Sequence, residues 1–478
     1  ISGRRQFISN NTICESGRDV LSFRNLSESV IQYNDIYGAG RLTLDVGVMY
    51  SAETDGQNTL IHHNYIHDNY TKSNNVGLYP DEMTHNFIIF ENVVYNANTA
   101  YQFNQPSLYN LIYNNTGYNT NNVADSYHQS FSDSRGRQYL NNLFNKSDSG
   151  SYSSSSTYAK ANVNETTMFV DAEGLDFRLQ DGSAAIDAGV PISGVTPEGE
   201  AHPAAGAYQP GDELFQVGHD FENPPEILNA PDLSEFEYRN RVKNGGFEYG
   251  TLESWDGSAQ VVLDSAWHSS SKTAATCFYG AVLESGDAIS QTVEVEPYTT
   301  YTIGLITRAP ETEGNIAIRV SADGEAELTE AVSTGNWNAN KRKFLTFTTG
   351  NTTEATLTIA NTGTAAFYLD DVGMQKEISM IGELSSPITL KGTDEGCAVQ
   401  FEELEEGHAY YYSDSREKDE SLQAGDTIVK PGSQETYLLG VSAPLEGVYN
   451  ANQGFCTFRR IEVLSETNDN GYYIVKEG

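Results

Sequence analysis

Four carboxylates of one short region have the spacing for paired acid–base chemistry. Asp81 and Glu82 close a strand-like run, and Glu53 and Asp55 fall one repeat earlier near the same edge. Two carboxyl groups held about 5 Å apart can act as acid and nucleophile in glycoside hydrolysis with retention, and a wider pair suits inversion. Carboxylates that close split their pKa values, which helps keep one protonated. Tyr79, Gln102, Asn104 and Gln129 accompany them as aromatic and amide groups able to stack on pyranose rings and bond hydroxyls. Acidic residues occupy 66 of 478 positions, so the plain alternative is chance, with Asp55-Gly56 a simple turn.

Such residues need a scaffold that brings distant segments side by side. Asn11, Asn34, Asn64, Asn92, Asn115 and Asn142 each follow an apolar residue (or Tyr139) by three positions, at intervals of 23, 30, 28, 23 and 27. One fixed polar residue per loose period marks a solenoid, and period-2 alternation makes its elements strands. The asparagines read as structural, each bonding the next up the stack. The strand about 14 residues before each asparagine then carries the candidate site. With Val48, Leu78 and Tyr101 pointing in, Met49, Tyr79, Gln102 and Gln129 point out, as do Ser51, Asp81 and Asn104. A one-residue slip would reverse all of these directions.

The segments GLYPDEMTHNFIIFENVVYN and DFRLQDGSAAIDAG resemble the right-handed parallel β-helix proteins of bacterial polysaccharide breakdown, over about residues 7–220. That superfold hosts hydrolases, lyases and adhesins, so the resemblance implies a fold and a substrate class and leaves the reaction open. For a lyase, Lys72, His85, Arg135 and Arg137 are the candidate base and cations. His62, His63 and His67 read as a histidine stack on a solvated corner, because neighbours in a strand face opposite ways.

Three prolines in 223–232 mark a linker. Beyond it, short strands with turn signals predict a β-sandwich. Its opening NGGFE and closing YLDDV resemble carbohydrate-binding modules of the xylan- and glucan-binding type. By that resemblance Glu248 and Asp370 are candidates for a structural calcium site, with a metal-free turn as the alternative. Trp255, Trp267 and Trp337 all lie in this segment; they and Tyr279 are either sugar platforms or core.

The expected architecture is all-β: a right-handed parallel β-helix with its cap over 1–222, a linker over 223–240, a jelly-roll-like sandwich over 241–376 and a small β domain over 377–478. The sequence opens at Ile1 inside a repeat-like segment, so further coils and a leader are expected upstream. A net charge of −38 disfavours nucleic acid and anionic membranes, and no 18-residue apolar run is present. Cys14 and Cys277 read as buried; Cys397 and Cys456 share the last domain and could pair. The expectation is a secreted or cell-surface polysaccharide-degrading enzyme without organic cofactor, with a lyase or a non-catalytic adhesin as alternatives.

Overall fold

The computed structural model describes residues 1–124, 133–144, 157–160, 162–164, 168–264, 274–337 and 341–377, and strands between 388 and 477. The chain forms two compact units, Ile1–Ile378 and Ser379–Gly478. In the second, the strands pair antiparallel as a five-stranded and a three-stranded sheet. Cys397 lies outside the described residues.

The first unit begins with three parallel sheets, each receiving one strand per coil. Sheet S1 holds Leu21–Ser22, Val46–Ser51, Asn75–Pro80, Thr99–Gln102 and Asn122–Ala124. Sheet S2 runs from Phe7–Ser9 through Thr54–His62 and Thr84–Phe90 to Thr157–Lys160, and sheet S3 from Thr12–Cys14 to Val163–Asn164. The asparagines stand between S2 and S3. Asn64 accepts at Oδ1 from the N and Nδ2 of Asn34 (3.0 and 2.9 Å) and donates from Nδ2 to the Ile31 and His62 carbonyls and to Asn92 Oδ1 (2.9 Å each). Each ladder amide thus fills the groups that a tight corner leaves open. The column extends one coil further than its spacing suggested, to Asn162. Ile31, Ile36, Ile61, Ile66, Ile89 and Val94 fill the interior beside it.

One register differs from expectation. Leu78 pairs with Tyr101 as foreseen, but on its other side it pairs with Met49, not Val48. Met49 is therefore inside, and Tyr50 comes out beside Tyr79. The long coil takes up its extra residues as a bulge inside Thr54–His62, where Gln57 and Asn58 have positive φ. Asp55-Gly56 is part of that strand and not a turn.

Residues 169–236 cap the stack irregularly, with Phe236 buried against Leu60, Ile88 and Phe90. The proline-rich stretch is mostly exposed and is tied to the coils where Gln32 Nε2 donates to the Leu228 carbonyl. The sandwich follows as two five-stranded antiparallel sheets around Ile303, Leu305, Ile318, Leu357 and Leu369. The sheet holding Thr300–Arg308, Arg342–Thr348 and Phe367–Lys376 presses its outer face onto S2. There Gln375 donates to Asn86 Oδ1 at 2.7 Å, Asn58 and Asn240 bond reciprocally, and Arg135 lies 3.7 Å over the Phe344 ring.

Candidate functional site

The outer face of S1 brings four of the foreseen residues together. Tyr79 and Tyr50, at one level of adjacent coils, meet edge to face at 5.4 Å. Asp81 accepts from Tyr50 Oη at Oδ2 (3.0 Å) and from Asn104 Nδ2 at Oδ1 (2.7 Å). The same Asn104 amide reaches Tyr79 Oη at 3.0 Å, and Gln102 Nε2 reaches Asn104 Oδ1 at 3.3 Å. Burial and the neighbouring Asp81 push the Tyr79 phenol up to about 12 and the Tyr50 phenol higher, so both hydroxyls stay protonated as donors. Arg18 lies 4.7 Å over the Tyr50 ring.

Glu53 and Glu82 sit at the corner where S1 turns into S2. Glu53 N donates to the Glu82 carbonyl at 2.9 Å, so the two backbones adjoin on neighbouring coils, just before Thr54 comes level with Thr84. Asp81 immediately precedes this pair. Arg24 approaches Glu53 at 3.7 Å. Asp19, which the spacing did not single out, has its carboxyl raised to about 6 by burial, against the opposing pull of Arg18. It lies level with Gly47, and Asp81 with Ala52; five residues are roughly 16 Å, too far to share one glycosidic bond. Gln129 lies outside the described residues.

Asp55 belongs elsewhere. It is in S2, 1% exposed, beneath the sandwich, and accepts from Gln57 N, Asn86 Nδ2 and Gln57 Nε2. Burial, then repulsion from Asp371, raises it to about 7. His85 is covered by the same contact: its Nδ1 accepts from Leu108 N, and Arg342 meets its Nε2. Arg137 is fully buried, so the lyase set does not assemble on an open face. His62 and His63 do not face apart on a solvated corner. Their Nδ1 atoms approach to 2.9 Å, because His63 bends back with φ 54°, and burial lowers both pKa values. Cys14 is exposed, against expectation; Cys277 is buried.

In the sandwich, Trp255 is core: 6% exposed, packed near Phe247, its indole N–H donating to the Asn244 carbonyl at 3.1 Å. Trp337 is half-buried beside Arg308. Tyr279 packs partly on the core, and Trp267 lies outside the described residues. Glu248 Oε1 accepts from Phe278 and Tyr279 N, and Asp370 Oδ2 from Ala275 and Thr276 N. A point one carbon out from Gly246 lies 3.9 Å from carboxylate oxygens of both Asp370 and Asp55 and 3.8 Å from Glu248 Cγ. Burial raises Glu248 to about 8, with Asp55 and Asp371 adding repulsion, and raises Asp370 as well. These oxygen donors fit a hard cation in kind. Among the described residues no three side chains form a finished coordination shell.

No family model matches the chain, and no curated protein does. Solved structures similar to it include TmCBM61 in complex with β-1,4-galactotriose (26% identity, TM-score 0.24, covering 29% of this chain and 99% of that one). Another is the CBM22-1 xylan-binding domain of Paenibacillus barcinonensis Xyn10C (14%, TM-score 0.22, 28% and 91%). The enzymatically active domain of bacteriophage CBA120 tailspike protein 4 is similar over 78% of this chain and 51% of its own, at 8% identity and TM-score 0.23.

Proposed function

We propose that this chain is a secreted polysaccharide-degrading protein, a right-handed parallel β-helix that receives its polymer on the outer face of S1. The observation that carries this reading is Asp81, held between Tyr50 and Asn104, with Glu53 N bonded to the Glu82 carbonyl on adjacent coils at the next corner. Tyr50, Tyr79 and Gln102 are 7%, 3% and 7% exposed, so they hold Asp81 and Asn104 in place, and Asp81 and Asn104 meet the sugar hydroxyls. Asp81 and Glu53, from the preceding coil, supply the acid and the nucleophile or base. In the sandwich, Glu248 and Asp370 hold a structural calcium ion, and Trp337 and Tyr279 serve binding.

The test is a polysaccharide panel read for new reducing ends and for the ultraviolet absorbance of an unsaturated uronate. Reducing ends without that absorbance support hydrolysis. Asp81→Asn and Glu53→Gln should each then lose at least about a hundredfold in rate. Full activity in both variants would sink the assignment. The second reading, binding without cleavage, draws on the fact that Tyr50 and Asn104 occupy both Asp81 oxygens. It predicts retention of polymer, no new ends, and weaker retention in Asp81→Asn.

A further inference from the structure

The corner residue just before each ladder asparagine has a left-handed backbone. It is Asn10, Tyr33, His63, Glu91, Asn114 and Asn141 in successive coils, with φ between 47° and 54° in the first five and 55° in the last. Asparagine tolerates this conformation; a bulky or β-extended side chain does so at a cost of order 1 kcal/mol or more. The outer coils use asparagine. Three consecutive middle coils use tyrosine, histidine and glutamate, and these three side chains line one pocket of about 380 Å³.

The far wall is the cap. Phe215 packs against His63 at 4.5 Å and stacks on Tyr208 at 4.1 Å, which fixes it as a rigid apolar wall. Tyr33 meets Phe215 edge to face at 6.3 Å. The chain is pinned there by Gly218 N donating to the Tyr33 carbonyl at 2.9 Å. Asp212 and Glu213 add two further carboxyls, and Gln209 is held there by bonds to Ala204 N and O. Glu91 Oε2 lies 3.2 Å from His63 Nε2, whose own Nδ1 faces His62. Burial holds the Glu91 carboxyl up, with Asp212 adding to it, and holds His63 neutral with its pKa near about 3. No lysine or arginine is among the described residues that line the pocket.

We infer that this corner pocket is a second carbohydrate site, separate from the S1 face, that takes an uncharged unit of one or two sugar rings. Its volume lies at the small end of ligand pockets, aromatic rings form two of its walls, and its carboxyls are groups that bond hydroxyls. Without a cation in the wall, an anionic sugar finds no partner for its charge and meets the carboxyls of Glu91, Asp212 and Glu213. The inference rests on the carbohydrate reading of the chain but not on Asp81.

The test uses the full chain and saturation-transfer NMR with galactose, xylose, the disaccharides of each, glucuronate and glucosamine. Transfer to a neutral sugar is expected, with glucuronate weaker. Glu91→Gln should weaken binding at least about tenfold, because an amide replaces the protonated carboxyl and is the weaker donor. Tyr33→Asn and His63→Asn install the residue that neighbouring coils already carry, so they should fold and yet lose the part of the transfer that the pocket contributes, leaving what the S1 face and the sandwich contribute. Asp81→Asn should leave the pocket signal intact even if it abolishes polymer degradation. Three results would overturn the inference: no neutral probe binding to the parent, glucuronate binding more tightly than the neutral sugars, or transfer undiminished from the parent in both asparagine variants.

Discussion

Asp55 and Asp81 come from adjoining stretches of the same solenoid and end in opposite environments. Asp81 stands at the rim of S1, partly exposed, held by Tyr50 and Asn104. Asp55 stands in S2 under the sandwich, near Asp371, Asp370 and Glu248. The coils have the same period on both faces, so the repeat does not decide the matter. The sandwich does, by docking on S2 and not on S1. The acidic residues of the docked face therefore bear on stability, and on the proposed function those of the S1 face bear on recognition.

The comparison breaks most sharply at Arg342. Its guanidinium pairs with Asp371 at 2.8 Å, with side-chain exposures of 6% and 1%, while Thr276 donates to the other Asp371 oxygen. Arg342→Met should cost about 3–5 kcal/mol, because it strands a buried carboxylate among other carboxylates. Chemical denaturation of the full chain measures this. A loss under about 1 kcal/mol would mean that the docked face is not held by its charges.

The pH response sharpens it next. Folded Asp55 and Glu248 titrate near about 7 and about 8, above their ordinary values of 3.8 and 4.5. The folded state therefore binds more protons than the unfolded one across that window. Stability from these groups is complete below about pH 4 and is lost as pH rises toward 8. In chelator, the melting temperature of the first unit should fall between pH 5 and 8. Calcium should restore it if Glu248 and Asp370 hold the ion, since a ligand of the native state stabilises it. A melting curve indifferent to both pH and calcium contradicts the shared site.

How much of this could be read beforehand follows from the range of the interactions. The asparagine column was legible because its bonds join equivalent positions of neighbouring coils, so its period is written in the chain. Leu78 opposite Tyr101 was legible for the same reason. Met49 was misplaced because the offset between these coils also changes by one residue at the corner, between Ser51 opposite Pro80 and Thr54 opposite Thr84, in addition to the two-residue bulge beside Gly56 that the spacing calls for. The burial of Asp55 and His85 was not legible because it comes from sandwich residues far along the chain, such as Asp371 and Arg342, which no local pattern records; of the two readings open for Trp255, the core is the one the structure takes. Tyr33, His63 and Glu91 did carry a signal: they interrupt a column of asparagines just before the ladder. Reading that position alongside the ladder itself would have exposed the corner pocket.

The smallest effect sets the two aspartates side by side as neutral isosteres. Asp55→Asn removes a carboxylate that burial already disfavours, so it should leave stability unchanged or raise it in chelator by up to about 1 kcal/mol. Asp81→Asn should also change stability by less than about 0.5 kcal/mol, since the amide oxygen still accepts from one of Tyr50 and Asn104 at a partly exposed rim. The two variants should then separate by function alone. Only Asp81→Asn loses action on the polymer, whereas Asp55→Asn keeps it because no substrate reaches that face. Equal loss in both would mean that S2 and the sandwich part from one another during turnover, and the open-face and docked-face distinction would fail.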